Sequence, residues 1–565
     1  MSAPSHCRIC SGALEFALVG GGEAVTAAQL SPTNHVPGAH GDLFRCTECG
    51  TVEQPSLPGG STLQELYGEM RDEGYLDEEA GRRATAERLL DLIGERTSAG
   101  RLLDVGCGYG LLLDEARRRG YGVTGLELSE SAARYAADAL GLDIRRAALE
   151  DLAADEEPFD VVLLVDVLEH LKDPRAAIDR CRDLLAPGGT LCVATPDPSS
   201  LTARLAGRRW WGYIPAHSFL LPRRTLRELL SASGLVISTD VPFVRTFSAR
   251  RWLGGMAERS GRLAALAEGV ARRVGGRSLS LSLGDERVML AHRTEVVAPA
   301  EPLVRDRGGA TSVQVVLPAY RAASTIAAVA GEMPIASADR ALLVDDASPD
   351  DTCETALRHG LEVIRHPTNR GYGANQKTCY VRTLLDGADV IVMVHADNQY
   401  DPSLVTAMVT PIEAGEADVV IGSRLLEDRA IAGGMPRWKW LGNRFLTAIE
   451  NRAFRRSFSE YHTGYRAFSA DFLRSVAFLR NSDEFVFDQE IFAQAVARGA
   501  RVVELAIPTR YFLEASSVSF RASVEYGLRT LYVLARFRLD RRLPWALLRR
   551  PAAAPGRSRV SAHAA

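Results

Sequence analysis

Two short stretches, "LLDVGCGYG" at Leu102–Gly110 and "VMVHADNQYDP" at Val392–Pro402, limit this chain most. In each, an apolar run breaks off abruptly into glycines, acids or amides. Such a run reads as a buried strand whose carboxyl end delivers polar groups to one rim of a sheet. Around the first lie "RLLDVG", "YGVTGLEL", "FDVVLLVDVL", "GGTLCVATP" and a last strand "DERVMLAHR" (Asp285–Arg293), with helical spacing between them. Leu66, Leu89, Leu90, Leu92 and Ile93 place further helices ahead of the series. Around the second lie "VQVVLPAY", "ALLVDDAS", "LEVIRHP", "DVIVMVHAD" and "DVVIGSR". Strand-helix alternation predicts parallel sheets with helices on both faces, hence an α/β chain with two Rossmann-like domains. The strand ends differ and no repeat relates the halves, so each domain is separately equipped.

A chain of 565 residues, 46% hydrophobic and 24% charged, is too long for one core. The expected division is a zinc-ribbon-like segment at 1–60, a first domain at 61–293, a linker at 294–311, a second domain at 312–545 and a disordered tail at 546–565. A net charge of -4 supplies no general attraction to nucleic acid, and Lys172, Lys377 and Lys439 are the only lysines. No window reaches the ~18 uninterrupted apolar residues of a spanning helix, and "MSAPSHCRIC" has no signal pattern. The expected location is the cytoplasm. Nine cysteines, mostly in apolar surroundings, do not read as a secreted disulfide framework.

Cys7 and Cys10 in "CRIC", with Cys46 and Cys49 in "CTEC", form two tight turns. Each can aim two thiolates at one tetrahedral Zn²⁺ at ~2.3 Å. The prediction is a structural zinc, with His6 or His40 as substitute ligands; the alternative is four unlinked thiols. Four thiolates leave no open position for catalysis, and the site would fold a segment too short to bury its own core.

In "LLDVGCGYGLLL", Asp104 precedes Gly106, Gly108 and Gly110. A dinucleotide fingerprint wants its third glycine one place later, where Leu111 stands. With "GLELS", "FDVVLLVDVLEHL" and "LLAPGGTL" following in order, the region from Leu63 to Arg293 resembles the class I S-adenosylmethionine-dependent methyltransferases. The resemblance implies a seven-stranded sheet and S-adenosylmethionine as cofactor. It places the three glycines against the ligand's methionine and ribose parts, Glu127 on the ribose hydroxyls, Glu150 or Asp151 by the adenine, and Asp166 beneath the sulfonium. The segment "WWGYIPAHSFLLPRRTLRELLSASG" looks like the substrate-side insertion of methyltransferases with an N-terminal cysteine motif, some acting on sugars. His217 is then a general base or only a brace for the helix after Pro222. His170 is assigned to packing or the cofactor side.

The order "VVLPAYRAASTI", "LLVDDASPDDT", "HPTNRGYGANQKT", "HADNQYDP" resembles family-two glycosyltransferases of the GT-A fold, from Ser312 to Arg521. The resemblance implies a nucleotide-sugar donor whose base lies near Pro318, Tyr320 and Asp346. Asp345 or Asp346 would accept from a base N–H, while Gly371 and Gly373 would let the backbone approach the diphosphate. Asp397 would anchor a divalent cation, Mg²⁺ or Mn²⁺, that offsets charge on the leaving group. The chain departs from the usual D-x-D, because His395 takes the first acidic place; Gln399 offers an amide oxygen instead. Further on, "EYHTGYRAFS" and "DEFVFDQEIFAQA" put Asp488 opposite the acceptor, as base for an inverting attack by a hydroxyl. A polyprenyl-phosphate acceptor is already ionised and needs no base; Arg466 or Arg510 would hold it, and Arg424 the diphosphate.

Near the end, Leu528, Leu531, Tyr532, Ala535 and Leu539 recur at helical spacing among arginines. This stripe is expected to pack on the domain; the other reading is a peripheral contact with the inner face of a membrane. Together the parts predict a bifunctional transferase acting on a glycan, lipid-phosphate or natural-product acceptor. The rival is a glycosyltransferase whose methyltransferase half binds cofactor only as a scaffold.

Overall fold

The computed structural model of the protein describes residues 5–21, 25–31, 33, 40–57, 60–72, 74–153, 155–249, 251, 278–304, 307–427, 430–431, 434–508 and 520–540. The chain forms two compact units, Met1–Arg293 and Thr294–Ala565.

The strands of the first unit are β1 (Leu14–Leu18), β2 (Leu43–Cys46), β3 (Val52–Glu53), β4 (Gly100–Val105), β5 (Tyr121–Leu126), β6 (Ile144–Arg145), β7 (Phe159–Val165), β8 (Leu185–Pro196), β9 (Phe219–Leu220), β10 (Leu235–Pro242), β11 (Arg245–Ser248), β12 (Ser278–Leu281) and β13 (Glu286–Arg293). Seven of them make the main sheet, in the order β10-β13-β8-β7-β4-β5-β6. Only β13 runs against its neighbours. The central strands are apolar on both faces because both are covered: Val161, Val162, Leu163 and Leu164 of β7 are all buried. Polar side chains sit at helix starts instead. Ser129 and Asp173 each accept a backbone N–H three residues on, capping the helices Glu130–Asp138 and Pro174–Leu184.

The cysteine segment is not a free-standing ribbon. Its strands join an antiparallel sheet β1-β2-β3-β9 whose fourth member comes from the loop ahead of Pro222. Gln54 extends that seam, its backbone N–H donating to Ser218 O at 3.0 Å and its side chain to Pro215 O at 2.8 Å.

The second unit holds β14 (Val313–Ala319), β15 (Arg340–Asp345), β16 (Glu362–Arg365), β17 (Val390–Met393), β18 (Val419–Ser423), β19 (Arg466–Ser469) and β20 (Val502–Ala506) in the order β16-β15-β14-β17-β19-β18-β20. Again one strand, β19, is antiparallel to both neighbours. The two-residue period of β14 sorts Val313, Val315 and Leu317 into one core and Val316 into the other.

Two expectations need correcting. Part of the expected linker packs on the second unit: Val297 and Val363 exchange backbone hydrogen bonds at 2.8 and 3.0 Å, and Val304 is buried. Its Pro and Gly content masked a short apolar register that the edge of β16 can pair. The helix Phe520–Asp540 buries Thr530, Val533, Leu534 and Phe537, while Leu528, Leu531, Tyr532 and Leu539 face outward. Apolar residues ring this helix, so periodicity alone did not select the packing face. The expected tail, 546–565, lies outside the described residues.

Candidate functional site

The four cysteine sulfurs lie within 4.8 Å of one another, with Cys7 to Cys49 at 3.8 Å and Cys10 to Cys46 at 3.4 Å. Tetrahedral ligands ~2.3 Å from one ion stand about 3.8 Å apart, so the donor set fits zinc. The two turns are built alike. Each closes with a residue of positive φ, Ser11 or Gly50. Each aims backbone N–H groups at its sulfurs: Ile9 and Gly12 in one, Glu48 and Cys49 in the other, at 3.3–3.5 Å. Neither His6 nor His40 belongs to this cluster.

In the first unit a cavity of about 610 Å³ opens at the ends of β4, β5 and β7, ample for a nucleoside-sized ligand. The three glycines there have different reasons. A Cβ at Gly106 would meet Val167 at 2.7 Å, and one at Gly110 would meet Leu142 at 2.7 Å; both are excluded by protein. At Gly108 the nearest atom would be Tyr75 Oη at 3.7 Å. Only there does the missing side chain leave room beside the cavity. Glu127 accepts the Gly108 N–H at 2.8 Å and the Ser129 N–H at 2.7 Å, which ties the glycine turn to the end of β5. Burial raises the Glu127 carboxyl pKa against those N–H groups.

Asp104 is buried, and burial, with Glu127 nearby, pushes its pKa up to about 8. Its ordinary value is near 3.9, so between the two the folded chain holds a proton that the unfolded chain has lost. Stability therefore falls as pH rises through that window, by up to about 1.4 kcal/mol per unit. Asp104→Asn is expected to stabilise the ligand-free chain progressively from pH 5 to pH 8. Urea unfolding at both values checks it; an equal effect at each would remove Asp104 as the cause.

Asp166 stands at the cavity with φ 56°. Its carboxylate pairs with Arg245 at 2.5 Å, and Arg245 also binds Glu286 at 2.7 Å. Asp151 turns away: it accepts the Ala148 N–H at 2.8 Å, and Glu150 takes the place on the cavity wall. His217 is held by the loop before β9, which Trp210 and Trp211 pin by donating to Asp285 at 2.8 Å each. Its Nδ1 lies 2.7 Å from Gly212 O. A carbonyl can only accept, so Nδ1 carries a proton. His170 packs 4.9 Å from its ring, hydrogen-bonded to Tyr67 and Ala216 O, and burial lowers its pKa. Sequence reasoning missed Glu169, which "LEHL" sets beside His170. Its ligand atom falls within 4.8 Å of those of both histidines, and burial raises its pKa to about 8.

In the second unit, the turns after β14, β15 and β17 each contain a non-glycine residue of positive φ, namely Arg321, Ala347 and Asn398. Strained backbone of this kind is tolerated where the surroundings impose it. Of the two neighbouring acids, Asp346 is consumed: it accepts from Arg370 N, Gly371 N and His366 Nδ1 at 2.8–2.9 Å. Asp345 accepts Ser348 N at 3.0 Å through Oδ2, while its buried Oδ1 has no N–H or O–H donor among the described residues. Pro318 is half-buried beside it in the pairing of β14 with β15, and Tyr320 is exposed. A Cβ on Gly371 or Gly373 would strike the backbone of Asp483 or Ser482, so the 482–484 segment already requires glycine at both positions.

Asp397 is half-buried, and its Oδ1 accepts the Gln399 N–H at 3.1 Å. His395 Nε2 is 2.9 Å from Tyr372 Oη, which donates to Asp488 Oδ2 at 3.0 Å. Gln376 donates to the other oxygen of Asp488 at 3.1 Å. Asp488 is thus oriented by two residues of the helix Tyr372–Leu385, neither of which the sequence singled out. Two arginines expected at ligand are already committed. Arg424 is buried and clamped by Glu460 and His462 O. Arg466 is fully buried and donates to the carbonyls of Thr463, Tyr461 and Asp488 at 2.9–3.0 Å, so it supports the acid's backbone. Arg510 lies outside the described residues.

The family described as methyltransferase domain matches residues 77–239, and the family glycosyl transferase family 2 matches residues 314–476. A ubiquinone biosynthesis O-methyltransferase of Cereibacter sphaeroides is 43% identical over 117 residues, 20% of this chain and 47% of that protein. The one of Maricaulis maris is 37% identical over 164 residues, 26% of this chain and 65% of that protein. The chain therefore spans about half the length of the curated relatives it matches. Among solved structures, glucosyl-3-phosphoglycerate synthase of Mycobacterium tuberculosis in complex with uridine diphosphate aligns at 18% identity and a TM-score of 0.34, covering 41% of this chain and 81% of that one.

Proposed function

Taking the chain as a methyltransferase domain joined to a family 2 glycosyltransferase domain, we propose a bifunctional transferase. Its first unit transfers methyl from S-adenosylmethionine. Its second transfers a glycosyl group, with inversion, from a nucleotide-diphospho-sugar to a glycan, lipid-phosphate or natural-product acceptor. The observation that carries the reading is that each unit gathers acids at the carboxyl edge of its parallel strands, Asp104, Glu127 and Asp166 at the ends of the neighbouring β4, β5 and β7 in one, Asp345 and Asp397 at the ends of β15 and β17, which flank β14, in the other.

S-adenosylmethionine, when bound, supplies an electrophilic methyl group. Gly108 gives it backbone access, Glu127 accepts from its ribose hydroxyls, and Glu150 is better placed than Asp151 for the adenine. His217, fixed through Nδ1 on Gly212 O, is the candidate group to take the proton that an acceptor hydroxyl loses. A divalent cation would offset charge on the leaving diphosphate. One carboxylate, Asp397, fits a hard cation whose remaining ligands are phosphate and water. Asp345 Oδ1 is the acceptor left for a base N–H. Asp488 takes the proton of a hydroxyl acceptor, held in line by Tyr372 and Gln376.

The test incubates the purified chain with a panel of UDP- and GDP-sugars plus Mn²⁺, reading released nucleotide by mass spectrometry, and titrates S-adenosylmethionine by calorimetry. Absence of both release and heat would sink the proposal. Asp488→Asn is expected to slow transfer to a hydroxyl acceptor about 10²–10⁴-fold while nucleotide still binds. Comparable turnover with that variant would show that the acceptor is a phosphate needing no base.

A further inference from the structure

Two helices of the second unit, Arg437–Phe454 and Phe520–Asp540, lie side by side with Gly527 against Leu446. Their inner faces meet through Phe454 and Phe537, rings 4.8 Å apart. Their outer faces are apolar. Trp438, Leu441 and Phe445 follow one another at helical spacing, and so do Val524, Leu528, Leu531 and Tyr532 on the partner helix. Leu441, Phe445, Leu528 and Tyr532 are each 63–65% exposed. A lone exposed leucine is ordinary, whereas large apolar side chains aligned on adjacent helices mark a contact surface.

The charges say what kind. On the first helix the exposed ionic groups are Arg437, Arg444 and Arg452; its one carboxylate, Glu450, is buried. On the second, among the described side chains, Arg529 and Arg538 are exposed and the exposed acid Glu525 is paired with Arg529. Cations therefore border the apolar rows on a chain whose total charge is -4. A second copy of this face would oppose cation to cation, while an anionic bilayer takes the apolar rows into its interface and the arginines onto its phosphates. No helix among the described residues is long and apolar enough to cross a membrane, so such contact would be peripheral.

The surface also connects to the candidate acid. Tyr526, on the second helix, accepts from Gln489 at 2.8 Å and lies 3.1 Å from His462 Nδ1; His462 Nε2 lies 3.0 Å from Glu450 of the first helix. Gln489 adjoins Asp488 in the helix Phe487–Arg498. We propose that these two helices seat the second unit on an anionic phospholipid surface, and that the glycosyl acceptor is presented from that surface on a lipid. The second clause rests on the glycosyl-transfer reading; the first stands without it.

The experiment co-sediments the full chain with phosphatidylcholine vesicles, alone or with about a third phosphatidylglycerol, at low and high salt. Binding is expected to be at least about tenfold tighter to the anionic vesicles and to weaken with salt. The double variants L441E/F445E and L528E/Y532E, all at exposed positions, are each expected to lose about tenfold or more. Far-ultraviolet dichroism and Tm confirm that they fold. Equal binding to neutral vesicles, no binding, or unaltered binding by both variants overturns the proposal. So does a concentration-dependent dimer of the parent chain that the same substitutions abolish. Vesicle binding without turnover of any donor would retain the surface and remove the glycosyl reading, whereas donor turnover without vesicle binding would remove this proposal alone.

Discussion

Asp397→Ala is expected to lower nucleotide release from the donor sugar by about 10²–10³-fold or more at saturating Mn²⁺. Two features of the site make the effect large. His395 stands where a second carboxylate would be expected, and its Nε2 is engaged with Tyr372, while the next acid along, Asp401, accepts Ser403 N at 3.0 Å and Ser403 Oγ at 2.6 Å. A Lewis acid at a leaving diphosphate supplies several kcal/mol of transition-state stabilisation, and each ~1.4 kcal/mol is tenfold in rate. The loss should appear in kcat more than in donor binding, because Asp345 and the β14–β15 turns that would hold the base are untouched. Mass-spectrometric counting of released nucleotide with parent and variant checks this. Undiminished release would assign the cation elsewhere, or show that the transfer needs none.

The second large effect concerns the cysteine site. Structural zinc contributes on the order of 10–16 kcal/mol of apparent binding energy in small modules, and here the module is stitched into a larger unit. Without the ion, the thiolates that the knuckle N–H groups face would have to take up protons. The β1-β2-β3-β9 sheet would then lose its anchor, and with it the seam from Gln54 to Pro215 and Ser218 and the bond from Thr225 to Cys49 O at 2.8 Å. Those contacts position the loop that carries His217. Cys46→Ser is therefore expected to lower the Tm of the first unit by at least about 5 °C and methyl transfer by about tenfold or more, while nucleotide release in the second unit stays within twofold. Metal analysis should give one zinc per parent chain and none in the variant. A metal-free parent chain with full Tm would refute the site.

Local patterns carried much of this structure. Parallel strands are covered on both faces, so their apolar runs announce themselves without knowledge of any partner. The interruption of a run by "DVG", "LEL" or "HAD" marks where it leaves the sheet. The paired cysteine turns were equally legible, because each is a six-residue device complete in itself. What sequence could not tell was how each polar group is spent. Asp345 and Asp346 are adjacent and identical in type, yet Asp346 is consumed by His366 and the glycine turn while one Asp345 oxygen meets no N–H or O–H donor among the described residues.

The same holds for Arg424 and Arg466, which read as ligand-binding cations and prove to be buried braces. Tyr372 and Gln376 lie in the quoted "HPTNRGYGANQKT" without a role the sequence assigns them, yet they orient Asp488 from more than a hundred positions away. Hydrogen bonds are short and directional, so their partners depend on which loops the sheet order brings together. The helix Phe520–Asp540 followed the same logic on its surface. Its apolar residues encircle it, and packing into the core that holds Phe454 turned Val533, Leu534 and Phe537 inward and left Leu528 and Tyr532 to the solvent. Sequence by itself determined the two sheets and the rims where their apolar runs give way to polar groups, because burial is written in local periodicity. Tertiary structure alone decided which acids and faces remain available, because a group is spent only when a distant partner arrives within hydrogen-bonding or packing distance.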